Sequence, residues 1–362
     1  MTKLDGCYCL KTDLDSQTAP KELVHDRYKS LAAVEWAFRT CKTHLQVRPV
    51  YVRKESRTRG HVFVVMLAYQ IVMQLAQCWR DLNLTVAEET HRAGKHYFDL
   101  TEDVPTTAAI KKLSKTAKGV MAPQCGLAPG FICMVGADLA GKFRHLRSIE
   151  LRVGALPQHP RGLLGYAFNW SPKGVVNEYL NDCEVVKEGK RTKVTAMEGL
   201  ETIVIDGVPL EAFSTSGGLG TMCETYEGQV EHLNYKTIRY PGHCQLMKFF
   251  FNELFMRKDR LKAGEILVNA KPPVNDDVVY VHAAVEGQQN GKLIREEFVH
   301  SYYPLKINGQ VWRAIAWTTA ASICAVVDLV SRGVLAQKGF IKQESIPLDQ
   351  IFKTPTGQYF LT

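Results

Sequence analysis

The stretch "TVAEETHRAGKHYFDLTEDVPTTAAIKKLSKTAKGVMAPQCGLAPGF", residues 85–131, decides the fold class of this protein. It reads as helix, strand, helix, strand, with short apolar strands at 96–99 and 119–122. Strands that alternate with helices pair in parallel, because a parallel pair needs a long crossover connection. The stretch therefore predicts a parallel α/β sheet, and ligands are expected beyond the carboxyl ends of such strands.

Residues 148–317 predict a larger, antiparallel sheet. Hairpin-like runs occupy 184–194, 201–213 and 277–319, with Asp206-Gly207 at one turn and Asn-Gly at 290–291 and again at 308–309. Asn-Gly between extended runs is the strongest short-range hairpin signal. Residues 318–333 follow as a helix of small residues that is expected to end at Gly333. The predicted fold class is thus α/β plus α+β.

Composition places the chain among globular proteins. Of its 362 residues, 46% are hydrophobic and 23% charged, and the net charge of +8 does not by itself indicate nucleic-acid binding.

The ten cysteines are scattered, and no secretory signal precedes them, so we expect reduced thiols in the cytoplasm. Cys7 and Cys9 lack a second Cys or His pair, which argues against zinc. The apolar run 62–76 falls short of the roughly 20 residues of a membrane span, so it predicts a buried helix.

Basic residues are concentrated in 39–60, where Glu55 is the one acidic residue. Such a cluster can follow the phosphates of DNA, and binding of this kind would be weak and sensitive to salt. A solvated connection between two helices has the same composition. On charge alone, both interpretations stay open.

Four polar stretches follow predicted strands or open predicted helices. They are "HYFDLTEDV" (96–104), "PQCGLAPGF" (123–131), "FNWSPKGVVNEY" (168–179), and the pair "STSGGLGT" (214–221) with "YKTIRYPGH" (235–243). Ser171 with Pro172 is a helix start whose N–H groups can receive an anion, and Arg239 can bind a carboxylate through two hydrogen bonds. Each stretch also has a purely structural interpretation: strand-end acids cap helices, a buried Cys is inert core, and Gly-rich turns are only turns.

The first part of the chain resembles the C-terminal end of a DDE-type insertion-sequence transposase. The resemblance covers residues 5 to about 88 and rests on Tyr28, Glu35 and Lys42 of the family signature, with Leu31 where one subgroup has Arg. It implies that Glu35 is the last of three metal-binding carboxylates. The other two belong to strands that this sequence does not contain, so we expect no transposition or nuclease activity.

The rest of the chain resembles the saccharopine dehydrogenase family, in its glutamate-forming branch. The resemblance covers roughly 84–355 and rests on eight stretches in order: "HYFDLTEDV", "PQCGLAPGF", "LRVGALPQHP", "NWSPKGVVNEYLNDCE", "EAFSTSGGLGT", "YKTIRYPGH", "TTAASICAVVDL" and "GFIKQE". Ser214 and Ala336 depart from the residues that the family often has, Asn and Pro. The resemblance implies oxidation of saccharopine by NAD or NADP to glutamate and aminoadipate semialdehyde.

The same resemblance implies the roles of individual residues. Asp99, Asp103 and Cys125 are the acid/base candidates near the imine. Thr101 and Gly126 are expected on the nicotinamide side. The expected substrate-binding residues are Asn169, Trp170, Ser171, Thr215, Ser216, Gly217, Gly218 and Arg239. A carboxylated polyamine is an alternative substrate.

No G-x-G-x-x-G occurs in the sequence, so the pyrophosphate of a dinucleotide has no recognisable binding turn. We therefore expect the cofactor site to be lost and the chain to be inactive by itself. The alternatives are a transposase relic with weak DNA contact at 39–60 and a non-catalytic binding module for amino-dicarboxylates. A homodimer through the antiparallel sheet is also expected.

The expected domain organisation follows from the two resemblances. Residues 1–88 are the transposase remnant, which is mostly helical. Residues 89–147 and 318–362 form the Rossmann-like remnant of a nucleotide-binding domain, and 148–317 form the substrate and dimerisation domain. Because family members return to the nucleotide-binding domain at their C-terminus, the helix 318–333 is expected to meet the helices near 105–118.

Overall fold

A computed structural model of the protein describes Pro20, Lys21 and residues 82–362. Residues Asn83–Thr362 form one compact unit. Predictions for residues 1–19 and 22–81 lie outside the described residues: nearly all of the mostly helical transposase remnant with its Glu35 metal ligand, the basic cluster 39–60 and the apolar run 62–76.

The helices and strands alternate at both ends of this unit, whereas strands dominate its middle. The helices are α1 (Leu82–Arg92), α2 (Val104–Ser114), α3 (Phe131–Ala140), α4 (Pro172–Leu180), α5 (Met222–Tyr226), α6 (His243–Lys248), α7 (Arg260–Ala270), α8 (Ala314–Ser331) and α9 (Leu348–Phe352). The strands are β1 (Tyr97–Phe98), β2 (Val120–Ala122), β3 (His145–Pro157), β4 (Cys183–Lys187), β5 (Lys190–Val194), β6 (Glu201–Ile205), β7 (Val208–Ser214), β8 (Val230–Arg239), β9 (Asp277–Gln289), β10 (Lys292–Tyr302), β11 (Leu305–Ile307), β12 (Gln310–Trp312) and β13 (Gly339–Phe340).

The predicted parallel sheet is present and small. It has three strands in the order β1-β2-β13, and both neighbours of β2 pair with it in parallel. The three residues of β2 are fully buried, as expected for a central strand with helices around it. The chain thus returns to this sheet near its C-terminus through β13.

The large sheet is mixed, not purely antiparallel as expected. Its strands run in the order β10-β9-β3-β8-β4-β5, with β7 also beside β8 and β6 paired to β7. β3 and β8 pair in parallel, while β3 and β9 pair antiparallel. β3 and β8 can pair in parallel because a long connection through α4 and β4–β7 separates them along the chain. Such a crossover connection lets the chain enter β8 in the same direction as β3.

The predicted hairpins are confirmed, and their turns follow from local chemistry. Asn290 and Gly291 have φ angles of 53° and 75° and join β9 to β10. The left-handed conformation at both central residues matches the twist of the flanking strands, and Asn and Gly adopt it at low cost. The same pattern recurs at Asp206-Gly207 and at Asn308-Gly309.

Helix α8 begins at Ala314, earlier than the predicted start at 318. The carboxylate of Asp277, at the start of β9, accepts hydrogen bonds from the backbone N–H groups of Ala314 (2.6 Å) and Ile315 (3.0 Å). A buried carboxylate at a helix N-terminus satisfies unpaired donors and interacts favourably with the helix dipole. Because this cap comes from a distant strand, the local sequence of the helix does not reveal it.

The packing partner of α8 also differs from the expectation. α8 packs on β9, α9 and the C-terminal turn 357–361, while α2 packs on β2 and β13. The C-terminal return to the small sheet is therefore made by β13 and not by α8. Val120 of the small sheet and Val281 of the large sheet belong to one hydrophobic core. The division into 89–147 with 318–362 and 148–317 thus stays a prediction.

Among the described helices, α8 is long and apolar enough to cross a membrane by length and composition. Half of that helix is buried against the rest of the protein. Trp317, Tyr302 and Phe360 form a cluster of aromatic contacts on its inner face. A core helix of a globular domain has these same properties.

Asp277→Ala is expected to lower the free energy of unfolding by roughly 2–3 kcal/mol, because two N–H groups lose a charged acceptor. Asp277→Asn keeps one acceptor and should cost about half as much. Urea denaturation followed by circular dichroism measures both. Asp349→Ala, at an exposed position of α9, is the control. An equal loss from Asp349→Ala and Asp277→Ala would contradict the capping role.

Candidate functional site

The loops that follow β1 and β2 are joined by the carboxylate of Asp99. It accepts hydrogen bonds from the Tyr97 hydroxyl (2.6 Å) and from the backbone N–H groups of Thr101 (3.0 Å) and Gln124 (2.9 Å). Burial raises the pKa of Asp99, although these three donors oppose that shift. Asp99 thus holds two strand-end loops together, which is the structural interpretation of a strand-end acid.

Asp103 and Thr101 occupy the start of α2. The Asp103 carboxylate accepts from the backbone N–H of Thr106 (2.9 Å) and from its hydroxyl (2.6 Å). The Thr101 hydroxyl accepts from the backbone N–H of Asp103 (3.2 Å). Asp103 is therefore the N-cap of α2, and its negative charge lies at the helix end where a phosphate would otherwise bind.

Cys125 is fully buried. Its thiol donates to the carbonyl oxygen of Ala122 (3.1 Å), and the side-chain amide of Gln343 donates to its sulfur (3.3 Å). Burial raises the pKa of the Cys125 thiol well above its ordinary value. The group stays protonated at neutral pH, which disfavours the acid/base role expected for it. The neighbouring Gly126 lines the cavity described next.

A cavity of about 300 Å³ lies beyond the two strand-end loops and is called the Arg239 cavity. It is bounded by both loops, by α4 and by the strands β3 and β8. Its lining residues are Leu100, Glu102, Gly126, Leu127, Ala128, Val153, Ala155, Trp170, Ser171, Glu178, Tyr235, Thr237, Arg239, Ile315 and Thr319. Four expected site residues therefore meet in one place: Gly126, Trp170, Ser171 and Arg239.

The guanidinium of Arg239 is the one cationic side chain of this cavity, and it is 2% exposed. It donates to the Tyr179 hydroxyl (2.8 Å) and to the carbonyl oxygen of Ile238 (2.7 Å), and it lies 4.6 Å from the centre of the Tyr166 ring. Burial disfavours its charge, but Tyr179, Tyr166 and Glu178 outweigh that effect and raise the pKa of Arg239. A fixed positive charge thus lines the cavity.

Tyr179 connects Arg239 to a buried histidine. The Tyr179 hydroxyl and Nε2 of His243 are 3.0 Å apart, and Nδ1 of His243 is 2.9 Å from the carbonyl oxygen of Leu164. Burial, with a contribution from Arg239, lowers the pKa of His243 to about 3. His243 is neutral at physiological pH, and Arg239 carries the positive charge of this group.

Two further carboxyl groups line the cavity: Glu102, which belongs to the polar stretch 96–104, and Glu178, which the sequence analysis missed. Glu178 lies on α4 and is 8% exposed; burial raises its pKa to about 8, although Arg239 opposes the shift. Burial also raises the pKa of Glu102. A signal for Glu178 was present, because it follows the helix start Ser171 by seven residues and so lies on the same face two turns later.

The start of α4 is built as the sequence predicts, with one exception. The Ser171 hydroxyl accepts from the backbone N–H of Gly174 (3.0 Å) and caps the helix. Asn169 does not line the cavity, because its side-chain oxygen accepts from the backbone N–H of Val274 (2.8 Å). In the structure Asn169 holds the loop before β9, and its expected role in substrate binding stays a prediction.

The Gly-rich residues 215–218 line a second cavity of about 510 Å³, called the loop cavity. It shares Glu102, Glu178 and Tyr235 with the Arg239 cavity. Its lining residues are Glu102, Asp103, Val104, Pro105, Asn177, Glu178, Leu180, Asn181, Asp182, Glu184, Lys193, Thr215, Ser216, Gly217, Gly218, Leu219, Gly220 and Tyr235. Gly218 is required here, since a Cβ atom would lie 2.3 Å from the Tyr235 ring.

At the helix start that follows β1, the described residues do not fit the pyrophosphate of a dinucleotide. The N-terminus of α2, which follows β1, is capped by the negative charge of Asp103. The sequence has no G-x-G-x-x-G turn that could replace it. Metal chemistry has no visible site either: the described part of the chain contains no group of three His, Cys, Asp or Glu side chains placed to hold a metal ion.

Residues 126–356 match the protein family described as Saccharopine dehydrogenase C-terminal domain. The chain belongs to this family. The matched range includes the two cavities' residues from Gly126 onward and the return to the small sheet through β13.

The fold resembles that of apo histidine-tagged saccharopine dehydrogenase (L-Glu forming) from Saccharomyces cerevisiae. The TM-score is 0.59 at 15% identity, over 76% of this chain and 80% of that one. Two further solved structures also match, each over 77% of this chain and 73% of its own. A dehydrogenase (MviM) from Clostridium difficile has a TM-score of 0.24 at 11% identity, and a probable dehydrogenase from Thermotoga maritima has a TM-score of 0.31 at 9% identity. TM-scores this low do not establish a shared fold.

Glu178→Gln is expected to change how stability depends on pH. A carboxyl group whose folded pKa is raised, here from 4.5 to about 8, stabilises the fold fully below its unfolded pKa. That contribution is lost as the pH rises through 8. Between about pH 5 and pH 8.5, the unfolding free energy of the unmodified protein should fall more steeply than that of Glu178→Gln.

Urea denaturation at several pH values measures this difference. Glu231→Gln, at an exposed position of β8, is the matched control and should follow the unmodified protein. Identical pH dependence of all three proteins would show that Glu178 is ionised in the fold at its ordinary pKa.

Proposed function

We propose that this chain binds an amino-dicarboxylate of the saccharopine and glutamate type in the Arg239 cavity. The observation that carries the proposal is the buried guanidinium of Arg239 on the cavity wall. Membership of the saccharopine dehydrogenase C-terminal domain family supports the choice of ligand. The chain then provides the substrate side of a saccharopine dehydrogenase reaction.

Arg239 is suited to hold a carboxylate. A guanidinium has five N–H donors in a planar fork, and Tyr179 and Ile238 take one donor each. Because the side chain is buried and held over the Tyr166 ring, little conformational freedom remains to be lost on binding. A carboxylate in the cavity would also offset the cost of keeping this charge away from water.

The other lining residues shape the space around the bound carboxylate. Trp170 and Leu127 provide apolar wall, and Ser171 marks the start of α4 at the rim. Glu178 becomes ionised as the pH rises through about 8, and its negative charge then limits how much further negative charge the cavity tolerates. The arrangement favours a ligand that carries both carboxylate and amine groups over a simple polyanion.

Oxidation of saccharopine requires NAD or NADP, which the saccharopine dehydrogenase family generally uses. Asp103 caps α2, and the sequence has no G-x-G-x-x-G turn for the pyrophosphate. This observation favours a second candidate, a non-catalytic binding module for amino-dicarboxylates. Homodimerisation through the large sheet and weak DNA contact at 39–60 remain predictions.

Saccharopine and glutamate are expected to bind the unmodified protein with dissociation constants on the order of millimolar. Arg239→Lys keeps the charge but removes the planar fork, and it should weaken binding by about tenfold or more. Arg239→Ala should abolish binding. Isothermal titration calorimetry measures each affinity, and circular dichroism confirms that each variant is folded.

Arg332→Ala is the matched control. This arginine is exposed at the end of α8, and in the described part of the chain its side chain forms an ion pair with Asp328 alone. Binding of saccharopine that survives both substitutions of Arg239 would place the ligand elsewhere in the protein.

NADH and NADPH are expected to show no saturable binding, because the sequence has no G-x-G-x-x-G turn to hold their pyrophosphate. Titration of nucleotide fluorescence with the protein tests this. Saturation at micromolar concentration would overturn the binding-module candidate and favour an active dehydrogenase.

A further inference from the structure

The loop cavity differs from the Arg239 cavity in its charge. Five carboxylate side chains line it, against one lysine. The acidic residues are Glu102, Asp103, Glu178, Asp182 and Glu184, and the lysine is Lys193. A second anion in these surroundings would meet repulsion. The charge favours a cationic ligand group instead.

A buried hydroxyl group on the wall of this cavity lacks a hydrogen-bond partner. The hydroxyl oxygen of Thr215 is buried and makes no hydrogen bond, although nearly all buried polar atoms in proteins do. The carboxylate of Glu178 is 8% exposed, and no side-chain hydrogen bond to it is present in the part of the chain that the structure describes. Thr215 is independent of the acidic cluster, and its free oxygen indicates that a donor belongs there.

We propose that the loop cavity is a subsite for a protonated amine, held between the carboxylate of Glu178 and the hydroxyl of Thr215. This inference rests on the proposed function, because it assigns the second part of the same ligand. An ammonium group has three N–H donors and no acceptor, which matches a cavity whose buried groups are acceptors. Glu102 and Glu178, shared by both cavities, lie between the amine subsite and Arg239.

The two cavities together therefore select a ligand with separated charges. Its carboxylate binds Arg239, and its amine binds beyond Glu178 in the loop cavity. A dicarboxylate without an amine is expected to occupy only the Arg239 cavity. A diamine without a carboxylate is expected to occupy only the loop cavity. Glutarate and cadaverine are such a pair, with the same number of carbon atoms and opposite charge.

The charged state of Glu178 gives the amine subsite a pH dependence. Several titratable or charged groups interact electrostatically with Glu178: Arg239, Tyr235, Glu102, Tyr166, Tyr179 and Cys183. The other charged residues that line the loop cavity are Asp103, Asp182, Glu184 and Lys193. Burial raises the pKa of Cys183 to about 12 and raises the pKa values of these tyrosines. Glu178, with a pKa of about 8, therefore titrates near neutral pH.

A cationic ligand binds the ionised form of Glu178. Its affinity should rise as the pH passes through the pKa of Glu178, about 8, while the diamine itself keeps its protons up to about pH 10. Replacement of Glu178 by Gln should remove most of this rise.

The test measures glutarate and cadaverine binding by calorimetry, with the full chain. Glu178→Gln is expected to weaken cadaverine about tenfold, because a charge-assisted hydrogen bond is lost. The same variant should bind glutarate as well as before or more tightly, because a negative charge beside Arg239 is removed. Thr215→Val preserves shape and should weaken cadaverine binding while glutarate binding stays unchanged. Glu231→Gln is the control for both ligands.

The outcomes separate the two proposals. If glutarate and saccharopine fail to bind but cadaverine binds and depends on Glu178, the proposed function is wrong and the amine subsite stands. If cadaverine does not bind, or binds equally well to Glu178→Gln and Thr215→Val, the amine subsite is overturned. Arg239-dependent binding of glutarate would then still support the proposed function.

Discussion

Strand β3 forms backbone hydrogen bonds with two strands, β8 on one edge and β9 on the other. The rest of the structure depends on this double pairing. It runs antiparallel to β9 from His145↔Gln288 to Pro157↔Asp277 and parallel to β8 as far as Val153↔Thr237. The strands approach so closely that a Cβ atom at Gly154 would lie 2.6 Å from Ile238. A side chain at this position would therefore separate β3 from β8.

The site lies where this pairing ends. Ile238 contacts Gly154, and the next residue, Arg239, turns into the cavity at the end of β8. On the other side of β3, the start of β9 places Asp277 at the N-terminus of α8. The positions of the guanidinium and of the long apolar helix are thus consequences of one strand register.

Burial decides the chemistry of the site more than the identity of its residues. Asp99 and Asp103 are engaged by backbone donors, and the Cys125 thiol is held protonated. The carboxyl group of Glu178 is buried and accepts no side-chain hydrogen bond in the part of the chain that the structure describes, and burial raises its pKa to about 8. A carboxyl group therefore caps a helix, joins loops or titrates near neutral pH according to its surroundings.

The amino-acid sequence by itself determined the features that depend on neighbouring residues: the Asn-Gly and Asp-Gly turns, the Ser171 helix start and the short strands of the small sheet. Only the tertiary structure decided that β3 and β8 pair in parallel, that Asp277 starts α8, and that Glu178 rather than Asn169 faces Arg239. The physical reason is distance along the chain. Turns and caps form among adjacent residues, whereas strand order, burial and the charge around a cavity arise from segments that meet only after folding.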